Sequence, residues 1–137
     1  MNQIIIAIDP GRDKCGIAVV HRQKGAVNQQ IVPTAELKTV VQQLIIDHSV
    51  NVVVIGDGTS SKEAKQAIDS IMLTTGQTFT VDFVDEHHST DQARRLYWHK
   101  HPPQGFRRLI PVTMQVPPTP VDDYVAVILA ERYFAKK

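Results

Sequence analysis

The sequence predicts a three-layer α/β domain built on a five-stranded mixed sheet, and three observations lead to this class. The N-terminal quarter contains three short runs rich in Ile and Val, joined by brief polar turns. Helical and strand-like patterns then alternate along the chain. The length of 137 residues and a hydrophobic fraction of 42% fit a single folded domain, residues 1–137, with a substantial core.

Three successive strands are predicted at residues 3–9, 15–21 and 26–32. Their connections are too short for a crossover, so neighbouring strands are expected to be antiparallel. Cys15 is the only cysteine, which excludes an internal disulfide. Because it falls within the second apolar run, we expect a buried and unreactive thiol.

The remaining elements are recognised by a change in the spacing of apolar residues along the chain. Leu37, Val41 and Leu44 recur at helical spacing, whereas NVVVIG is a continuous apolar run typical of a strand covered on both faces. The predicted elements are a helix at 35–48, a strand at 51–56, a helix from 60, a strand at 79–84, a helix at 89–100, a Pro-rich loop at 101–118 and a helix from 120.

Capping-box spacing predicts three helix N-termini. Ser60, Ser89 and Thr119 are each followed three residues later by Glu, Gln or Asp, and Pro120 would occupy the first position of the last helix. The element order is therefore β-β-β-α-β-α-β-α-α, with right-handed crossovers that place helices on both faces of the sheet. This is the ribonuclease-H-like arrangement.

Acidic residues from three distant segments are expected at one edge of this sheet. Asp9 ends the first strand, Asp85 and Glu86 end the fifth, and Asp122 and Asp123 lie in the first turn of the last helix. Hard divalent cations prefer carboxylate oxygens. Paired Mg²⁺ ions can activate a water and stabilise the leaving oxygen during hydrolysis of a phosphodiester.

Each acid also has a purely structural interpretation. Asp9 begins an Asp-Pro-Gly turn, Glu86 stands in a polar strand-to-helix loop, and Asp122 is favoured at a helix N-terminus by the helix dipole. Asp57, at the same predicted edge, is a further candidate. A metal-binding site is favoured because acids from three distant segments are expected to converge.

Positive charge is concentrated in residues 87–110, although the whole chain has a net charge of only +1. Five basic residues and one acid, Asp91, give this window +5 − 1 = +4. Basic residues interleaved with aromatics suit contact with phosphates and stacking of bases, and a solvated helix face followed by a basic loop would give the same pattern. The basic residues are Arg94, Arg95, Lys100, Arg107 and Arg108.

Membrane and secreted classes are disfavoured. No apolar run approaches the roughly 18 to 20 residues needed to span a bilayer. The first residues, MNQIIIAIDPG, lack the basic region and cleavage site of a signal peptide. Together with the single cysteine, these features predict a cytoplasmic protein without a membrane partner.

Three segments, IDPGRDKCGIAVV, FVDEHHST and VDDYVAVILAERYF, match a known family in order and spacing. They resemble the YqgF group of ribonuclease-H-like proteins, which is related to RuvC Holliday-junction resolvases and includes nucleases of ribosomal-RNA processing. The resemblance covers nearly the whole chain. It implies a Mg²⁺- or Mn²⁺-dependent nuclease for structured nucleic acid, either an RNA precursor or a branched DNA, and it is compatible with a homodimer. Carried over by position, the catalytic and metal-binding acids are Asp9, Glu86 and Asp122.

The chain departs from the family pattern at four places. Pro10 stands where Tyr is usual, and His87 stands where Arg is usual. The loop after the fourth strand is shortened to GDGTSSKEA, and the Pro-rich connection before the last helix is elaborate. These changes leave the three acids in place but alter the expected substrate contacts. They motivate a second hypothesis, a ribonuclease-H-like nucleic-acid-binding or assembly module without catalysis.

Overall fold

The computed structural model describes residues 3–136, and its secondary structure follows the predicted order. The strands are β1 (Ile4–Asp9), β2 (Lys14–His21), β3 (Gly25–Pro33), β4 (Val52–Gly56) and β5 (Thr80–Val84). The helices are α1 (Leu37–His48), α2 (Ser61–Thr75), α3 (Ser89–Lys100) and α4 (Asp122–Lys136). Residues 1, 2 and 137, the ends of the predicted domain, lie outside the described part of the chain.

The five strands form one sheet in the order β3-β2-β1-β4-β5. Pairing is antiparallel between β1 and β2 and between β2 and β3, and it is parallel between β1 and β4 and between β4 and β5. The predicted sheet, three antiparallel strands extended by two parallel ones, is therefore confirmed. The central strand is β1, and its last residue, Asp9, is paired with Gly16 of β2.

Helices cover both faces of the sheet, which creates two cores. Because side chains alternate along a strand, Ile6 and Ile8 of β1 pack on the side of α1 and α2, whereas Ile5 and Ala7 pack on the side of α4. All four are fully buried. The predicted buried thiol of Cys15 is also confirmed, in the first of these cores.

Helices α2 and α3 begin where predicted, but the capping hydrogen bonds predicted for their serines do not form. Ser60 precedes α2, but its side chain forms no capping hydrogen bond. Helix α3 is preceded by His88 in a left-handed conformation, and Ser89 is buried in the turn. The Ser89 hydroxyl donates to the carbonyl of Glu86 at 2.7 Å and so stabilises the loop rather than the helix. The helix itself begins at Ser89, as predicted. The spacing did not reveal that the serine is buried and bonded to the preceding loop, because a local pattern does not report burial.

The start of α4 also differs from the prediction. This helix begins at Asp122, and the Val121 carbonyl accepts a hydrogen bond from the Val125 N–H at 2.9 Å. Thr119 and Pro120 therefore lie before the helix rather than at its cap and first position. The preceding connection, predicted as a loop, contains two short 3₁₀ helices, Gly105–Leu109 and Val112–Met114. Among the described helices, none has the length and apolar character required to cross a membrane.

Two leucine substitutions should separate core packing from surface exposure. Leu129 of α4 is fully buried, whereas Leu73 of α2 is 87% exposed. Leu129→Ala should lower the free energy of unfolding by about 2–5 kcal/mol, because it leaves a cavity between α4 and the sheet. Leu73→Ala should change it by less than about 0.5 kcal/mol. Urea unfolding followed by circular dichroism measures both, and equal losses would contradict the packing described.

Candidate active site

Three acidic side chains lie close together at the end of β1. Asp9 ends this strand, and the negative charges of Glu86 and Asp122 both act on its carboxyl group. Asp9 and Asp122 line the same cleft. The residues alone left Asp85 and Asp123 as alternatives, but it is Glu86 and Asp122 that the fold brings into electrostatic contact with Asp9.

Asp122 reaches this position because Gly16 has no side chain. Gly16 is the cross-strand partner of Asp9, and it lies against the backbone of Asp122 and Asp123. A Cβ atom at this position would overlap the carbonyl group of Asp122. The glycine therefore sets how closely the start of α4 approaches the sheet. Sequence reasoning missed this role, since the contact joins segments more than 100 residues apart.

Glu86 is oriented by the loop that follows β4. The carboxylate lies against Gly58, whose backbone hydrogen bond lowers the pKa of Glu86. Burial, the largest effect, and the charges of Asp57 and Asp85 raise this pKa, and the net direction is upward. The Glu86 backbone N–H donates to Asp57 Oδ1 at 3.2 Å. The shortened loop thus supplies both a backbone donor and a further acid beside Glu86.

The environment of Asp9 strongly disfavours its ionised form. Burial, then the charge of Glu86, then that of Asp122 raise the pKa of Asp9 from 3.8 to about 7. A carboxyl group with such a pKa keeps its proton near neutrality unless positive charge is added. Strongly perturbed acids of this kind are concentrated at functional sites.

The predicted metal site is not formed as a coordination shell. Within residues 3–136, no group of three or more His, Cys, Asp or Glu side chains has an arrangement that could hold a metal ion. The donor chemistry nevertheless fits a hard divalent cation, because all three groups are carboxylates. The charges of Glu86 and Asp122 also raise the cost of ionising Asp9. Metal binding by Asp9, Glu86 and Asp122 therefore stays a prediction.

Lys14 supplies a positive charge beside these acids. Its Nζ lies 3.4 Å from Asp122 Oδ2, and the lysine side chain is about half exposed. Lys14 is the first residue of β2, directly after the turn that follows Asp9. Sequence reasoning did not single it out, because a lysine at the start of a strand is ordinary. In this fold it is the counter-charge of a candidate ligand.

The three additional acids have distinct surroundings. Asp57 and Asp85 lie close enough to Glu86 to raise its pKa, and Asp85 Oδ1 also accepts the His87 backbone N–H at 3.0 Å. Asp123 Oδ2 accepts a hydrogen bond from Gln29 Nε2 of β3 at 3.0 Å. Asp123 Oδ1 is buried without a hydrogen-bond partner among the described residues. Asp57 and Asp85 thus belong to the surroundings of Glu86, whereas Asp123 is tied to β3.

An open cleft of about 970 Å³ begins at Asp9 and Asp122. Its walls are the β1–β2 turn, the segment entering α1 and the start of α2. Arg12 and Lys14 line one side and Glu63 another, so the cleft contains both signs of charge. A groove of this size next to the acids can hold a segment of a polymer.

The predicted basic residues lie on α3 and the connection after it. Neither hydrogen bond nor ion pair joins any of them to the three acids within the described chain. Lys100 lies near Glu131, whose pKa its charge lowers, although burial, the larger effect, raises that pKa overall. The four arginines, by contrast, are exposed and form no ion pair among residues 3–136. They are Arg94, Arg95, Arg107 and Arg108.

Comparison with known proteins settles the family. Residues 3–91 match the family described as the Tex protein YqgF-like domain. The chain belongs to this family. The resemblance seen in the sequence is therefore confirmed, and the matched segment of the YqgF-like domain includes Asp9 and Glu86, whereas Asp122 and the arginines follow it. No curated protein sequence matches the chain.

Solved structures support the fold of the YqgF-like domain. It is similar to Thermus thermophilus RuvC in complex with a Holliday junction substrate, with a TM-score of 0.65 and 14% identity over 98% of this chain and 94% of that chain. It is also similar to the fowlpox virus Holliday junction resolvase, with a TM-score of 0.60 and 12% identity over 97% and 98% of the two chains. At these identities the likeness establishes the ribonuclease-H-like fold.

Substitution by alanine should lower the free energy of unfolding more at Gly16 than at Gly58. Gly16→Ala places a methyl group against the Asp122 backbone, which is unable to move without shifting α4, so the free energy of unfolding should fall by about 1–3 kcal/mol. Gly58→Ala meets only the flexible end of Glu86, so the loss should stay below about 1 kcal/mol while the carboxylate is displaced. Urea unfolding measures the first effect. If Gly16→Ala lowers the free energy of unfolding no more than Gly58→Ala, the result would contradict the close approach of α4 to Gly16.

The raised pKa of Asp9 predicts a dependence of stability on pH in metal-free buffer. The folded state keeps the Asp9 proton up to about pH 7, whereas the unfolded chain releases it near 3.8. The folded state thus binds more protons between these values, so the unfolding free energy contributed by Asp9 falls as pH rises through this window.

Comparison of urea unfolding at about pH 4.5 and about pH 7.5 measures this contribution. Asp9→Asn should remove it and raise stability at the higher pH relative to the wild type. Asp47→Asn serves as the control, because Asp47 is exposed near the end of α1 and should leave the pH dependence unchanged. An unaltered pH dependence in Asp9→Asn would show that Asp9 ionises normally.

Proposed function

We propose that this YqgF-like domain is a divalent-metal-dependent nuclease that hydrolyses phosphodiester bonds of structured nucleic acid. The observation that carries the proposal is the convergence of Asp9, Glu86 and Asp122 at the end of the central strand, where mutual repulsion and burial raise the pKa of Asp9 to about 7. Strongly perturbed carboxyl groups are concentrated at functional sites, and a bound divalent cation would offset the repulsion among these three. Family membership and the RuvC-like fold support the same reaction class.

The carboxylates of Asp9, Glu86 and Asp122 would hold Mg²⁺ or Mn²⁺. Such an ion lowers the pKa of a bound water and neutralises charge on the phosphate. The protein's own part is to prepare these ligands: the Gly58 backbone orients Glu86, and Lys14 offsets the charge of Asp122. Because Asp9 holds a proton up to about pH 7, cation binding should strengthen as pH rises through this value.

The proposed substrate rests on the exposed basic residues and on the similarity to two resolvases. Both similar resolvases have been solved with Holliday junction DNA. We propose a branched DNA or a structured ribosomal-RNA precursor, whose phosphates would contact the basic residues Arg94, Arg95, Lys100, Arg107 and Arg108. None of the four arginines forms an ion pair with a carboxylate in the described part of the chain, and this supports the proposal. A cytoplasmic location, a single domain over residues 1–137 and a homodimer without a membrane partner complete the proposal.

A cleavage assay with matched aspartate variants tests the catalytic assignment. The wild type is incubated with Mn²⁺ and either four-way junction DNA or a structured RNA, and products are resolved by electrophoresis. Asp9→Asn should reduce cleavage at least about 100-fold, because losing even an outer partner of a metal ligand costs 10–100-fold. Asp47→Asn, which removes an exposed carboxylate remote from the site, should cleave like the wild type. Activity that persists in Asp9→Asn would refute the site.

A second candidate is a nucleic-acid-binding or assembly module without catalysis. The observation that favours it is the ion pair between Lys14 and Asp122, which engages one of the three candidate ligands. His87 in place of the usual arginine points in the same direction. Binding of RNA or junction DNA with a steep salt dependence, without cleavage by any divalent cation, would identify this function.

A further inference from the structure

A second pocket lies between α3 and the connection that leads to α4. Asp91, Arg94, Arg95 and Trp98 line one wall, and their spacing of three, four and seven residues places them on one face of the helix. The volume of the pocket is about 260 Å³, and its opposite wall is formed by Val112, Thr113 and Gln115. This pocket shares no lining residue with the cleft at Asp9.

Hydrogen bonds hold the opposite wall in a defined conformation. Gln115 Nε2 donates to the carbonyl of Arg107 at 2.9 Å and to that of Ile110 at 3.0 Å. The Gln115 backbone N–H donates to the Val112 carbonyl at 3.1 Å. These bonds attach the 3₁₀ helix Gly105–Leu109 to the wall of the pocket. This 3₁₀ helix carries a second pair of arginines, Arg107 and Arg108.

The pocket offers several donors that the protein itself leaves unused. Arg94 and Arg95 form no hydrogen bond or ion pair within the described chain. Trp98 also lines the pocket, but its indole Nε1 is buried, so the tryptophan contributes its ring to the wall rather than a donor. Thr113 adds a hydroxyl group. The charged lining residues sum to +2 − 1 = +1, because Asp91 is the one acid among them.

These donors fit an anion that presents several oxygens, and a phosphate group is the common biological example. The size of the pocket favours one group of a polymer, since whole small ligands occupy about 300–1,000 Å³. The adjoining 3₁₀ helix Gly105–Leu109 also suits a polymer. Arg107 and Arg108 form no ion pair among residues 3–136, and Phe106 and Leu109 are 76% and 82% exposed. Cationic and apolar side chains side by side suit the backbone and bases of a single strand.

We propose that the pocket of Arg94, Arg95 and Trp98 binds a backbone phosphate of a single nucleic-acid strand, apart from the site at Asp9. The strand continues over Phe106 and Arg107 of the 3₁₀ helix that Gln115 attaches to the pocket wall. This inference rests on the proposed action on nucleic acid and names a site for part of that substrate. The pocket holds the strand by its phosphate and so positions it without taking part in hydrolysis.

The single tryptophan of the chain provides a direct measurement. Because Trp98 lines the pocket, its fluorescence should change saturably when a single-stranded oligothymidylate of about six nucleotides is added in the presence of EDTA. Arg94→Gln and Arg95→Gln should each weaken binding about ten-fold, because each removes a charge-assisted hydrogen bond to the phosphate. Lys24→Gln is the matched control. This exposed lysine lies in the β2–β3 turn, at the opposite end of the sheet from Asp9, and its loss should change the affinity less than about two-fold.

Three results would overturn the proposal. One is the absence of a saturable change in Trp98 fluorescence, and another is an equal loss of affinity in Lys24→Gln. The third is inorganic phosphate binding as tightly as the oligonucleotide, which would indicate a site for a free anion. Unfolding curves of the arginine variants check that the fold is retained. Since EDTA removes any metal-dependent step, a failure of cleavage leaves this titration unaffected, and the two proposals fail separately.

Discussion

The packing of α4 across the central strands is the interaction on which the rest of the structure depends. It buries Leu129 in the core and places the first residue of the helix, Asp122, against Gly16 of β2, the partner of Asp9 at the end of β1. The same contact therefore closes one hydrophobic core and completes the acidic cluster. A methyl group at Gly16 would disturb both at once, which explains why stability and the candidate site are coupled in this fold.

The acidic cluster is maintained against its own electrostatic repulsion. Asp9 keeps a proton up to about pH 7, and the backbone of Gly58 and the side chain of Lys14 stabilise the neighbouring carboxylates. A protein selected for stability alone would not place Glu86 and Asp122 around a partly buried Asp9. Functional sites commonly retain such unfavourable arrangements because the chemistry requires them. A divalent cation would convert the repulsion into attraction.

The fold separates two kinds of charge. The acids lie at the end of β1, whereas Arg94 and Arg95 lie on the exposed side of α3, in a pocket with different walls. The helix is held in place by its opposite side, where Ala93 is buried against the core that α4 shares. Among residues 3–136 no ion pair joins the arginines to the acids, so neither group neutralises the other. The arrangement is consistent with the proposal that the arginines bind a nucleic-acid strand while the acids hydrolyse it elsewhere.

The sequence by itself determined the order of the elements, the mixed sheet and the segments that carry acids, because side-chain period and short connections are local properties. It also located the basic window on α3. Only the tertiary structure decided which acids meet Asp9, that Gly16 and Gly58 position them, that Lys14 is their counter-charge, and that two arginines share a pocket with Trp98. The predicted capping bonds of Ser60 and Ser89 and the predicted start of α4 were wrong for the same reason. Close backbone approach and burial depend on segments far apart in the chain, and no local pattern records them.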